Sequence, residues 1–170
     1  VEIEGMYFKT PYSTIGDQLR FRYNDYYDFT SFNDSIRMDI DFNESSVALR
    51  DIMVFAPSLN NNTFFSSNQN EVLDIDGQIK GTVNKLRGRD LSIELAGIGG
   101  RTIIKGELDA RNLTTNKGEL INLRLDQFST NMRTLRQLIP NFNPPDNFDR
   151  LGSLNFQGKF DGYFANFVAD

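Results

Sequence analysis

The chain has 170 residues, 39% of them hydrophobic and 24% charged, with a formal net charge of -5 and a sequence pI near 4.8. That is long enough for one sizeable core, and it leaves no basic surplus to neutralise a phosphate backbone, so nucleic acid is not an expected partner. There is no Cys and no His, which removes the usual zinc ligands and the base of the common Ser and Cys nucleophile arrangements, so no enzymatic activity is expected.

The chain begins at Val1, which suggests a segment excised from a longer protein, with any leader or membrane anchor lying outside it. No run approaches the ~18 apolar residues needed to span a bilayer. Absent cysteines fit a reducing cytosol and an exported bacterial protein equally well.

From the first third onward, alternation with period two dominates, the mark of a strand with one apolar and one polar face. Leu19, Phe21 and Tyr23 alternate with polar residues, as do Ile36, Met38, Ile40 and Phe42. A three-residue spacing then takes over at Leu49, Ile52 and Phe55, closed by Pro57, and predicts a short helix. The Asn- and Ser-rich stretch around Asn60–Asn70 reads as a loop.

Strand alternation resumes with Ile75, Gly77, Ile79, Gly81 and Val83, then Leu91, Ile93 and Leu95, then Thr102, Ile104, Gly106 and Leu108, then Ile121, Leu123 and Leu125. Short turns are expected at Leu86–Arg89 and Gly97–Gly100. A second helix is expected at Met132, Leu135 and Leu138, closed by Pro140, followed by a loop over Asn141–Asn147 and a last strand through Leu154, Phe156, Gly158, Phe160, Gly162 and Phe164. The sum is roughly ten strands in a mainly antiparallel, all-β fold with two short helices.

The two helical pieces lie 83 residues apart, pairing Leu49 with Met132 and Pro57 with Pro140. The flanking strands follow at offsets of 85 upstream and 81 downstream. A register near eighty residues with small indels is what a diverged tandem repeat produces, so residues 1–170 read as one continuous domain with two repeats, approximately 35–95 and 120–170.

Candidate sites have ordinary explanations. Asp39 with Asp41, and Asp74 with Asp76, are carboxylate pairs two residues apart, but they share the polar face of an amphipathic strand, where charge serves solubility. Asp74–Gly77 faintly resembles a calcium loop without its distal Glu, and Gly97–Gly100 resembles a phosphate loop but precedes a strand rather than a helix. The in-strand glycines Gly77, Gly81, Gly106, Gly158 and Gly162 occupy apolar parity; they imply a bend or bulge in a curved sheet, or room for something to lie on that face.

The stretch Leu73–Leu95, with its Asp-Ile-Asp-Gly-Gln-Ile-Lys-Gly-Thr-Val core, and the stretch Leu151–Gly162 resemble the strand pattern of TamB and the wider AsmA-like proteins of diderm bacteria. The helical pieces ending at Pro57 and Pro140 resemble the short elements between strands in the long TamB-like proteins of Bacteroidetes. The resemblance covers about Ser35 to Asp170. It implies a U-shaped, β-taco-like sheet with an apolar interior. It further implies a periplasmic location, an inner-membrane anchor on the parent protein, and a role in phospholipid passage to the outer membrane. In some members an Omp85-family barrel is the partner in outer-membrane protein assembly. The family brings no catalytic residues, cofactor or metal.

On this reading the groove is lined by Ile36, Met38, Ile40, Ile75, Ile79, Val83, Leu91, Ile93, Ile104, Leu108, Leu123, Leu125, Phe156 and Phe160, and its ligand is the phospholipid acyl chain. Drawing about sixteen methylenes into water costs about 0.8 kcal/mol each, on the order of 13 kcal/mol gross, which a continuous apolar lining avoids. An open trough of this kind would also favour dimerisation of the excised piece. The same alternation fits a structural or adhesive β-solenoid or sandwich with a closed core, and an open edge fits a chaperone for outer-membrane strands.

Overall fold

The computed structural model describes residues 2–55, 57–97, 100–113, 118, 120–163 and 166–169. Nine strands form one open, curled antiparallel sheet: β1 (Glu2–Lys9), β2 (Thr14–Arg22), β3 (Arg37–Ala48), β4 (Val72–Thr82), β5 (Lys85–Gly97), β6 (Gly100–Arg111), β7 (Leu120–Asn131), β8 (Ser153–Tyr163) and β9 (Asn166–Ala169). Every strand pairs with its neighbour in sequence, so the order in space is the order in the chain. The expected all-β, curled architecture is therefore observed, with nine strands among the described residues where about ten were expected.

Connections that lead from an even strand to the next odd one lie at what we term the upper end of the sheet. Those from odd to even lie at the lower end. Both expected helices are present at the lower end: α2 (Leu49–Phe55) follows β3 and α4 (Met132–Leu138) follows β7. Asn131 caps α4, its side chain accepting from the Thr134 amide at 3.0 Å, and the helix ends at Leu138, two residues before Pro140. A further short helix, α1 (Phe32–Ser35), stands at the upper end between β2 and β3, behind a 3-10 turn at Tyr26–Ser31.

Three expectations need correction. The turn assigned to Leu86–Arg89 lies instead at residues 83–84, and Leu86–Arg89 is inside β5. The loop expected over residues 60–70 contains a 3-10 turn, Pro57–Asn61, and a helix, α3 (Thr63–Ser67), started by the Asn62 side chain accepting from the Phe64 amide. The loop after α4 likewise runs into a 3-10 turn at Asp146–Leu151. Asn and Ser read as loop residues because they cap and turn the backbone, and here they cap it into short helical pieces.

Curvature has a local cause. Each strand pair from β1–β2 to β7–β8 contains a register shift. In β3, β5 and β7 an extra polar residue interrupts the alternation, at Asn43–Glu44, Arg89–Asp90 and Asp126–Gln127. Glycines of the even strands lie alongside: Gly77 pairs with Phe42, Gly106 with Leu91 and Leu125, and Gly158 with Leu125. The bulges form a line across the middle of the sheet, and each one bends and twists its strand in the same sense.

Gly77 shows why the even strands use glycine. Its φ is 111°, and a Cβ there would lie 2.5 Å from the Asp90 carbonyl oxygen. A Cβ at Gly106 would lie 1.9 Å from the Arg124 carbonyl oxygen. Gly77→Ala is therefore expected to lower unfolding free energy by about 2–4 kcal/mol, from backbone strain plus overpacking. Gly152→Ala, with φ 69° but nothing within 4 Å, should cost about 1 kcal/mol. Urea titration of the two variants checks the difference; equal losses would show that close backbone approach at the bulge is not what glycine serves.

Candidate functional site

Cross-strand partners in an antiparallel sheet share a face, so the registers define rows of side chains that run across the strands. Leu19, Ile40, Ile79, Gly88, Leu108, Leu123 and Phe160 form one row from β2 to β8. Nearer the upper end lies the row Phe21, Met38, Gly81, Leu86, Ala110, Ile121 and Gly162. On the lower side of the bulge line, Leu91, Gly106, Leu125 and Gly158 form a third row, and Ile75, Ile93, Ile104, Phe128 and Phe156 a fourth.

Twelve of the fourteen expected lining residues fall on these four rows. Ile40, Ile75, Leu91 and Leu125 are buried; Met38, Ile79, Ile93, Ile104, Leu108, Leu123 and Phe160 are half-buried; Phe156 is 54% exposed. The other two, Ile36 and Val83, stand at the upper rim, in the C-cap of α1 and in the β4–β5 turn, and both are buried. Phe128 was missed. The bulge at Asp126–Gln127 places it three residues after Leu125 rather than two, and two successive polar residues inside an alternating strand were the available signal.

Much of this apolar face is already occupied. The segment 49–71 leaves β3 and returns to β4 through a closed neck, where the Leu49 amide donates to the Glu71 carbonyl at 3.0 Å and the Arg50 amide to the Gln69 carbonyl at 3.1 Å. Within it, Met53 and Leu59 are buried against Ala110 and Leu113, with Phe65, Leu86, Leu108 and Ile121 packed around them. Ile52 touches that cluster and also the one built on Leu19, Ile40, Phe42, Val47 and Ile75. The excursion thus fills the curl between its β2–β4 side and its β6–β7 side, each fully buried apolar side chain contributing about 1.5–3 kcal/mol.

Polar contacts hold this plug. The Thr10 and Ser13 hydroxyls both donate to Asp51 Oδ2, at 2.6 and 2.5 Å, and the Ala48 amide donates to Ser13 Oγ at 2.9 Å. The β1–β2 hairpin is thereby tied to the first turn of α2, and the Arg50 guanidinium lies 4.2 Å over the Tyr12 ring. At the far side, the buried Asn68 side chain donates to the Phe64 and Leu138 carbonyls, each at 2.7 Å, joining α3 to the end of α4. α4 packs against β5, β6 and β7, near the buried Thr102–Thr130 hydroxyl pair at 2.8 Å.

The opposite face is a charge lattice. Lys80 and Asp39 are 3.4 Å apart, Arg89 contacts both oxygens of Asp109 at 3.1 Å, and Arg124 bridges Glu107 and Asp126 at 3.1 and 3.4 Å. The expected carboxylate pairs belong to it: Asp41 accepts from Gln78 at 3.1 Å, and Asp76 from the Glu44 amide at 3.0 Å beside the bulge. Asp74 lies within β4, paired to Glu94, and Gly97 pairs with Gly100 at the end of the β5–β6 ladder, while Ile98 and Gly99 of the expected turn lie outside the described residues. Exposed pairs of this kind contribute about 0–1 kcal/mol each, so they keep the face wet more than they stabilise it.

Among the described residues, no group of three acidic, His or Cys side chains could hold a metal, and no helix is long and apolar enough to cross a membrane. No family model matches the chain, and no curated protein or solved structure matches it significantly.

Removing the Asp51 acceptor should loosen the plug before it unfolds the sheet. Asp51→Ala is expected to cost about 2 kcal/mol, because two hydroxyls lose a charged acceptor, and to speed hydrogen exchange at the Ala48 and Leu49 amides relative to the β5–β6 amides. Exchange that is unchanged at the neck would show that the hairpin does not hold the plug.

Proposed function

We propose that this chain is one segment of a bridge-like lipid-transfer protein of the bacterial envelope, akin to the TamB and AsmA-like proteins its strands resemble. It would stand in the periplasm in a parent protein anchored in the inner membrane. The observation that carries the reading is the direction of the apolar rows. They run across the strands, so the greasy track passes from one strand to the next along the axis on which further strands would stack. Successive strands add about 4.8 Å each to such a track.

An acyl chain lying along the rows keeps its methylenes out of water at every step, while the charge lattice on the other face keeps the protein soluble. Among the described residues of the rows, Phe156 on β8 is the exposed large side chain, with Leu123, Phe128, Leu154 and Phe160 half-buried around it. No single side chain does chemistry, and an Omp85-family barrel as partner in outer-membrane protein assembly fits the same architecture.

One observation favours a second reading. The plug buries Leu49, Met53 and Leu59 deeply, as in a closed core whose role is structural or adhesive.

Native mass spectrometry of the purified chain separates the two. Co-purified phospholipid is expected, with Phe156→Asp and Phe160→Asp reducing it by about tenfold, the effect of about 1.4 kcal/mol. Asn155→Asp and Lys80→Asp, on the charged face, should leave it unchanged. A lipid-free monomer that also fails to take up added phospholipid would overturn the lipid reading in favour of the closed core.

A further inference from the structure

A chain with a net charge of -5 still gathers cations in one place. On the charged face at the extreme upper end, the registers bring Arg22, Arg37, Thr82, Lys85 and Arg111 into one row from β2 to β6. Arg37 stands at Thr82 because its neighbour Met38 pairs with Gly81. The row holds no carboxylate, and its four cations are all exposed.

The row one step lower is balanced. There Arg20, Lys80 and Arg87 are interleaved with Asp39 and Asp109, with Lys80 lying 3.4 Å from Asp39 and Arg87 lying 3.7 Å from Asp109. In the upper row Arg22 stands opposite Arg37 and Lys85 opposite Arg111, like charges directly across the ladder, an arrangement that destabilises a sheet. Arg37, Lys85 and Arg111 make no ion pair among the described residues. Their strands β3, β5 and β6 are paired on both sides, so the row belongs to the middle of the sheet. A repulsion that the fold leaves unrelieved points to an anion supplied from outside.

From β2 to β6 the row spans four strand spacings, about 19 Å at about 4.8 Å each. One phosphate cannot bridge that length, whereas an array of phosphates matches it. Exposed rings stand at the same end: Tyr26 and Tyr27 of the 3-10 turn are 83% and 79% exposed. Tyr26 packs with Tyr23 and Phe29, ring centroids 5.0 to 6.4 Å apart. The carboxylates of this end are engaged in shaping it. Asp25 accepts from the Tyr27 amide and Asp28 from the Asn24 amide, each at 2.7 Å, and Asp34 accepts from the Asn84 side chain. Aromatic rings beside cations suit the headgroup level of a bilayer.

We propose that the upper end of the sheet docks on the surface of an anionic phospholipid bilayer, with Arg37, Lys85 and Arg111 on headgroup phosphates and Tyr26 and Tyr27 entering the interface. This inference does not rest on acyl chains lying in the curl, since it uses the outer face and an end turn.

The test is flotation of the purified chain with vesicles of phosphatidylcholine and phosphatidylglycerol in equal parts, against phosphatidylcholine alone. Binding is expected to the mixed vesicles and to fall as salt is raised. Arg37→Glu with Lys85→Glu should weaken it at least about tenfold, while Lys105→Glu with Lys159→Glu, the same change in net charge elsewhere on that face, should leave it unchanged. Tyr26→Ser with Tyr27→Ser should also weaken it, at unchanged salt dependence. Circular dichroism confirms that each variant is folded. Equal losses from the two reversals would overturn the row as the site in favour of general electrostatics. Displacement by inorganic phosphate, at an ionic strength where chloride does not displace, would overturn the bilayer in favour of free phosphate. Binding to polyglutamate as tight as to vesicles, indifferent to the Tyr changes, would overturn it in favour of an acidic protein. Flotation lost in Phe156→Asp but kept in the row reversal would place the contact in the curl instead.

Discussion

The structure depends on the line of bulges across its centre. An antiparallel meander of nine strands would otherwise twist as an open sheet with one apolar face in water. An extra residue in each of β3, β5 and β7, at the same height, bends the sheet about one line and turns that face inward. The bend requires the backbones of neighbouring strands to approach closely. Glycine at Gly77 and Gly106 is the residue that permits it, since any Cβ there would overlap a carbonyl of the next strand.

Curling creates a second requirement, because a concave apolar face must still be filled. Over β2–β6 the filling comes from the chain itself, through the excursion 49–71 and its buried Met53 and Leu59. The polar ties from Thr10 and Ser13 to this excursion, and from its own Asn68 to the Leu138 carbonyl, replace water at groups that burial would otherwise leave unpaired. On β8, Phe156 of the fourth row is 54% exposed. The second helical excursion, at 132–152, packs its helix against β5, β6 and β7, with the Arg136–Asp149 pair at 2.7 Å joining that helix to the 3-10 turn after it.

Local signals carried much of this. Alternation in β3, β4, β6, β7 and β8 fixed which side chains share a face, because the strand repeat is two and one face must leave water. The proline-closed triplets at Leu49–Pro57 and Met132–Pro140 located both main helices, because a proline cannot continue the ladder. Leu86–Arg89 looked like a turn because a bulge and a turn draw on the same residues, and the bulge begins at Arg89. Only the pairing of β5 with β4 on one side and β6 on the other separates the two. Phe128 was missed for the same reason, since one inserted residue reverses the parity of all that follow.

By itself the sequence determined the all-β class, the polar and apolar faces, the helix positions and the absence of His and Cys chemistry, because each of these follows from residue type and spacing along a few neighbouring positions. The tertiary structure alone decided that the bulges line up into a bend, that the first excursion fills the curl, and that Phe128 joins the apolar row beside Phe156. Those depend on which strands lie side by side and in what register, and register is set by contacts between residues far apart in the chain.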